Sequence, residues 1–170
     1  MATDAAAAQR PFKIPESVLV VIHSAEGEVL LLERADMPGH WQGVTGAKDS
    51  ADEPLFETAI REVAEETGIV VGSAAVPRSC LVDWQMRNVF DIYPHYLHRY
   101  APGVTRNVEH VFGLRVPRDV TITLAPREHT RWRWLPALAA ADACFSSSNA
   151  EAILQLPRRL QAGTKEPDRA

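Results

Sequence analysis

The run Ser17-Val18-Leu19-Val20-Val21-Ile22-His23 constrains this chain more than any other stretch. It is apolar without interruption, and strands buried in a sheet read this way because neither face meets water. Residues 25–28 (Ala-Glu-Gly-Glu) carry a turn signal, and Val29-Leu30-Leu31-Leu32 follows as a hairpin partner. A Pro/Gly loop at 36–40 then leads to a short strand at 41–45 and to Gly46. From Glu53 to Thr67 the apolar period becomes helical, and Gly68 supplies the stop. Further strands are expected at 89–96, 109–116, 120–124 and 131–135, with helices at 135–141 and 149–161. Strands outnumber helices, and no repeat or linker splits the pattern. The expectation is an α/β domain with a mixed sheet and packed helices, covering residues 13–162. Residues 1–12 and 163–170 are expected to be disordered tails.

With 170 residues and 46% hydrophobic composition, the chain can bury a sizeable core. Lys and Arg total 18 against 22 Asp and Glu, a formal net charge of -4, so there is no basic footprint for duplex DNA. A small phosphorylated ligand stays open, since a few local cations suffice for one. Cys80 and Cys144 are too few for a disulfide framework and lack metal-type spacing. No stretch approaches the ~18 apolar residues of a membrane span. The alanine run in residues 1–9 follows Asp4 rather than basic residues, unlike a signal peptide. A cytoplasmic protein without membrane or nucleic-acid partners is expected.

The helical stretch from Glu53 carries the chemistry. On a wheel of ~100° per residue, Phe56, Ala59, Ile60, Val63 and Thr67 form a core stripe. Glu57, Arg61, Glu62, Glu65 and Glu66 occupy another arc, in which Glu62 and Glu66 are an i,i+4 pair. The arc reads either as a solvated acidic face, with Arg61 bridging Glu57 and Glu65, or as a cation site. Like charges this close destabilise a helix unless a cation joins them, and hard oxygen donors favour Mg²⁺ or Mn²⁺. Glu62 and Glu66 are expected to be exposed, as metal ligands open to solvent would be.

The full spacing is more specific. Glu53, seven residues, Arg61-Glu62, an aliphatic Val63, one residue, Glu65-Glu66, one residue, Gly68 and an aliphatic Ile69 resemble the signature of the Nudix hydrolases. One departure stands out: Gly46 precedes Glu53 by six intervening residues, where the family usually has five. Either the loop 47–52 holds a one-residue insertion, with Glu53 in its family place, or the helix starts with a one-residue bulge. The resemblance implies the Nudix fold, a mixed β-sheet sandwiched between helices (α/β/α). It also implies Mg²⁺-dependent hydrolysis of a phosphoanhydride, with Mn²⁺ as a substitute. Catalytic roles would fall to Arg61, Glu62, Glu65 and Glu66, and metal ligation to Glu62, Glu66, Glu65 and Glu128. Arg61 would orient the carboxylates through its planar fork.

Several runs outside the box look like the bacterial dihydroneopterin triphosphate diphosphatases within that family. They include Trp41-Gln42-Gly43-Val44-Thr45-Gly46, residues 98–107 (His-Arg-Tyr-Ala-Pro-Gly-Val-Thr-Arg-Asn), Glu128-His129, and Phe145-Ser146-Ser147-Ser148-Asn149. The resemblance implies release of pyrophosphate from 7,8-dihydroneopterin triphosphate in folate biosynthesis. A nucleotide pyrophosphohydrolase of dATP type and an inactive nucleotide-binding module are the alternatives. It implies substrate contacts from Lys13, Arg34, Thr45, Phe90, Asp91, Ile92, Tyr93 and Ser146. The six histidines show no metal-ligand spacing and read as structural.

Overall fold

The first strand, β1 (Glu16–His23), occupies the middle of a seven-stranded mixed sheet in the computed structural model, which describes residues 11–163. Segments 1–10 and 164–170, most of the two expected tails, lie outside the described residues. Its run from Val18 to Ile22 is at most 1% exposed. Val18, Val20 and Ile22 enter one core beside α1 (Leu55–Thr67), where they meet Ala59 and Val63. Leu19 and Val21 enter a second core on the opposite face, against Ala140, Ala152, Ile153 and Leu156. Those four belong to α2 (Ala137–Ala143), α3 (Ser147–Leu154) and α4 (Leu156–Gly163). Both faces of the strand are covered, which explains the absence of polar alternation.

Pairing departs from the expected hairpin. β2 (Glu28–Arg34) meets β1 only at His23↔Val29, and then diverges to pair with β3 (Trp41–Gln42) and β7 (His129–Pro136). The vacated edge of β1 is taken by β4 (Val44–Ala47), antiparallel, with Leu19 opposite Thr45. The short strand expected at 41–45 is therefore two strands separated at Gly43. On its other side β1 runs parallel to β6 (Arg106–Arg115), whose outer neighbour is β5 (Leu81–Asp91).

Four further expectations are corrected. The strand placed at 89–96 starts earlier and ends at Asp91, because Pro94 opens a 3-10 turn, Pro94–Arg99. A bulge between Asp83 and Met86 breaks the alternation in its first half and hides it from hydrophobic periodicity. Residues 120–124 are not a strand: Val120, Ile122 and Leu124 pack against the α1-side core, and the Thr123 N–H donates to Thr67 O (2.8 Å). The single helix expected at 149–161 is two, α3 and α4, broken at Gln155 two residues before Pro157, which suits the first turn of a new helix. Pro11 and Phe12, assigned to a tail, line a cleft described below.

Helix α1 ends as its sequence indicates. Gly68 takes φ 72°, and its N–H donates to Ala64 O at 2.9 Å. Its start at Leu55 is regular, the Thr58 N–H reaching Pro54 O at 2.9 Å. The extra residue between Gly46 and Glu53 therefore lies in the loop and not in a bulge of the helix.

Candidate active site

Strand β4, the following loop and α1 bring the box residues together. Arg61 is the hub. Its Nε donates to Glu53 Oε1 (2.9 Å) and its Nη2 to Glu53 Oε2 (3.1 Å) and Ala47 O (2.9 Å). Its Nη1 donates to Glu62 Oε1 (2.8 Å) and, at 3.5 Å, to Glu65 Oε2. Glu53 also accepts the Asp49 N–H at 2.7 Å. These bonds hold the Glu53 carboxyl down at about pKa 2, with the Arg61 hydrogen bonds the largest cause. Glu57 is not part of this set; it pairs with Arg78, so the bridge from Arg61 to Glu57 does not form.

Glu62 and Glu66 differ from expectation in being buried, 8% and 2% exposed. Glu62 lies against Gly46, where any Cβ would collide with its carboxyl group, so the glycine is a steric requirement of the site. Burial pushes the Glu62 carboxyl up to about 7; Arg61 opposes this, and Glu66 and Glu65 add to it. Burial also raises Glu66, against the lowering effect of His129, whose Nε2 is 2.9 Å from Glu66 Oε2. Glu65 remains half-exposed on the rim.

Glu128, in the turn immediately before β7, joins this group. Ligand atoms of Glu66, Glu128 and His129 lie within 4.8 Å of one another. His129, read from sequence as structural, is thus part of the cluster, and its buried Nδ1 has no hydrogen-bond partner among the described residues. The sequence signal was available in the Glu128-His129 pair, but only the fold brings it to a glutamate 63 positions away. The set of carboxylate oxygens and one imidazole suits a hard or borderline divalent cation, and the mutual repulsion of Glu62, Glu65 and Glu66 gives one a purpose.

Two clefts adjoin at Thr45. The smaller, about 390 Å³, is lined by Glu62, Glu65, Glu128, Arg61, Lys48 and Lys13, together with Pro11 and Phe12. Lys13 therefore stands beside the carboxylates. The larger, about 650 Å³, contains Arg34, Thr45, Phe90, Asp91, Tyr93 and Ser146 of the expected substrate set. Arg34 is held by two bonds to Asp36 (2.9 and 2.7 Å) and packs over the Phe145 ring at 5.6 Å. Ser146 serves as the N-cap of α3, accepting the Asn149 N–H at 3.3 Å, and faces the cleft as well. Ile92 is the exception: it is buried and does not line either cleft, since the chain turns away from the sheet after Asp91. Asn149, not anticipated, accepts the Gly43 N–H (2.8 Å) and so pins α3 to the junction of β3 and β4. Glu109, also not anticipated, is buried at the wall of the larger cleft. It sits in an ordinary strand pattern and has no motif to flag it.

A model of the NUDIX domain matches residues 13–156. The chain is 43% identical over 145 residues to the dihydroneopterin triphosphate diphosphatase of Escherichia coli K12, covering 85% of this chain and 93% of that one. The Haemophilus influenzae enzyme of the same name is 38% identical over 143 residues, covering 84% and 87%. The solved E. coli dihydroneopterin triphosphate pyrophosphohydrolase superposes with a TM-score of 0.74 at 42% identity, over 86% of this chain and 98% of that one.

Proposed function

The chain belongs to the Nudix family, whose members generally use a divalent metal, and on that premise we propose that it is a Mg²⁺-dependent pyrophosphohydrolase. Its substrate is 7,8-dihydroneopterin triphosphate, its products the monophosphate and pyrophosphate, and its place the folate route of the cytoplasm. The observation that carries this reading is the adjacency at Thr45 of a carboxylate-lined cleft and a larger one edged by aromatic rings. A triphosphate attached to a flat ring needs both. The likeness to enzymes named for that reaction supports the same choice. The functional unit is one domain, residues 13–162, acting on a small molecule without nucleic acid or membrane.

Glu62, Glu66, Glu65 and Glu128 would hold the metal, with His129 supporting Glu66 through its Nε2 contact. The bound metal would neutralise phosphate oxygens and acidify the attacking water. Arg61 holds Glu62 and Glu65 at one end and the loop at the other, so the carboxylates are positioned before substrate arrives. Lys13 and Lys48 set positive charge beside the smaller cleft, where the leaving pyrophosphate gathers charge. Phe90, Tyr93 and Phe145 offer ring faces in the larger cleft, and Thr45 stands where ring and phosphates join. Arg34, Asp91 and Ser146 supply polar contacts along it.

The test is pyrophosphate release with Mg²⁺ from dihydroneopterin triphosphate, dATP, dGTP, ADP-ribose and a dinucleoside polyphosphate in parallel. The pterin should give the highest kcat/KM. Faster turnover of dATP would make the chain a nucleotide pyrophosphohydrolase, and binding without turnover would make it an inactive module.

A further inference from the structure

Glu128 is the one proposed metal ligand outside α1. Its carboxylate is exposed and has no hydrogen-bond or ion-pair partner among the described residues, so backbone alone decides where it stands. The turn that carries it closes through the Glu128 and His129 N–H groups, which both donate to Ala125 O (3.0 and 2.9 Å). The Ala35 N–H ties the turn to the end of β2 by donating to Glu128 O at 2.8 Å. There the pairing of β7 with β2 shifts register between Glu33 and Arg34, opposite His129, so a regular ladder does not fix the turn. The side chain of His129 supplies a further anchor. It is 3% exposed and sets its Nε2 2.9 Å from Glu66 Oε2.

The two ring nitrogens of His129 are unequal. Nδ1 is buried without a hydrogen-bond partner among the described residues, so a neutral ring carries its proton on Nε2, where Glu66 accepts it. A buried nitrogen left unpaired is a cost that an aliphatic side chain would avoid. The imidazole therefore earns its place through Nε2. Glu66 also accepts a backbone hydrogen bond at Thr45, so two donors from different elements set its angle. A carboxylate has about four lone-pair sites, and those left over can face a cation. Ligand atoms of Glu66, Glu128 and His129 lie within 4.8 Å of one another, so the bond that fixes Glu66 also fixes the residue next to Glu128. We propose that His129 is a positioning residue of the metal site: it orients Glu66 and, by pinning the turn, carries Glu128 to the same divalent cation. This inference deepens the metal-site reading and rests on it.

The experiment measures Mn²⁺ binding to the full chain without substrate, from the electron paramagnetic resonance signal of the free ion. Wild type is compared with His129→Leu, His129→Gln, Glu128→Gln and the double variant His129→Leu/Glu128→Gln. Removing a group that orients a metal ligand costs roughly 10- to 100-fold in affinity, and His129→Leu, which fills the space without a donor, should lose about that factor. His129→Gln can place a side-chain N–H near the position of Nε2 and should stay within about threefold of wild type. Glu128→Gln should weaken Mn²⁺ binding in the wild-type background and cost much less beside His129→Leu, because the leucine variant has already released the turn. Unchanged affinity in His129→Leu would overturn the inference. So would equal losses in the Leu and Gln variants, which would make the ring a packing element only, or fully additive losses in the double variant. A wild type that binds no Mn²⁺ would overturn both this inference and the metal-site reading. If wild type binds Mn²⁺ but releases no pyrophosphate from the pterin, the proposed function fails and the affinities still decide the role of His129. Should His129→Leu not fold, His129→Asn, whose amide is too short to reach Glu66, takes its place in the comparison with Gln.

Discussion

The burial of Glu62 makes the metal-free protein sensitive to mild alkali, and a single substitution should abolish that sensitivity. The folded-state pKa of about 7 lies above the ordinary value of 4.5, so the folded chain binds this proton more tightly than the unfolded one. The stability it contributes is fully present below pH 4.5 and is lost as pH rises through 7. Each tenfold change in the protonation ratio is worth about 1.4 kcal/mol, so at pH 8 ionised Glu62 costs the metal-free fold roughly 3 kcal/mol. Glu66, raised by deeper burial, acts in the same direction. His23 acts oppositely: burial lowers its pKa, so its contribution improves as pH rises towards the ordinary 6.5. Comparing wild type with Glu62→Gln cancels the His23 contribution. In EDTA, urea unfolding should give the variant little advantage at pH 4, about 1.4 kcal/mol at pH 5.5 and roughly 3 kcal/mol at pH 8, the last equivalent to a Tm gain of about 6–12 °C for a chain of this size. Mg²⁺ at 100 times its dissociation constant adds about 2.7 kcal/mol to wild type and should add much less to the variant. Parallel stability–pH curves for the two proteins in EDTA would refute the argument, as would a variant less stable than wild type at pH 8.

Three other outcomes follow from the same geometry. Glu62→Gln and Glu66→Gln should each cut kcat by orders of magnitude with near-native circular dichroism, and near-wild-type turnover in either would dissolve the metal-site assignment. Asn149→Ala should cost about 1–3 kcal/mol in chemical denaturation, because it leaves the Gly43 N–H without its acceptor; a change within experimental error would show that the helix does not depend on that bond. Glu33, held at about pKa 2 by Arg131, the Gly39 N–H and Thr130, contributes stability above its ordinary 4.5 that is lost as pH falls through 2. Glu33→Gln should therefore flatten the acid limb of the stability curve between about pH 5 and 2, and an unchanged limb would count against it.

What could be read in advance was local. The unbroken run of β1 and the helix ending at Gly68 depend on residues adjacent in sequence, and both stand as expected. The arc holding Glu62, Glu65 and Glu66 was legible too, since a helical wheel fixes angular position. The wheel says nothing of what covers the arc. Glu62 is buried by Gly46 and Glu66 by His129, from elements whose arrangement no periodicity encodes. Ile92 lies outside both clefts for a similar reason: the strand expected at 89–96 stops at Asp91. Glu109 escaped because its burial at the wall of the larger cleft is a property of the elements packed around it and not of its own segment.

The guanidinium of Arg61 grips both ends of the loop between β4 and α1, Ala47 O at one end and Glu53 at the other. The backbone between those points hangs outside a closed clasp. Its contour length does not set the distance between β4 and the helix, so the extra residue is absorbed without moving the carboxylates. Because closing a longer loop costs only about 0.6 kcal/mol per doubling, the segment 48–52 is a place where the chain can gain residues cheaply. Material inserted there would project beside the mouth of the smaller cleft, where Lys48 and Asp49 already stand. The clasp thus separates two design variables, the placement of the metal-binding carboxylates and the shape of the entrance above them, and lets one vary while the other is held.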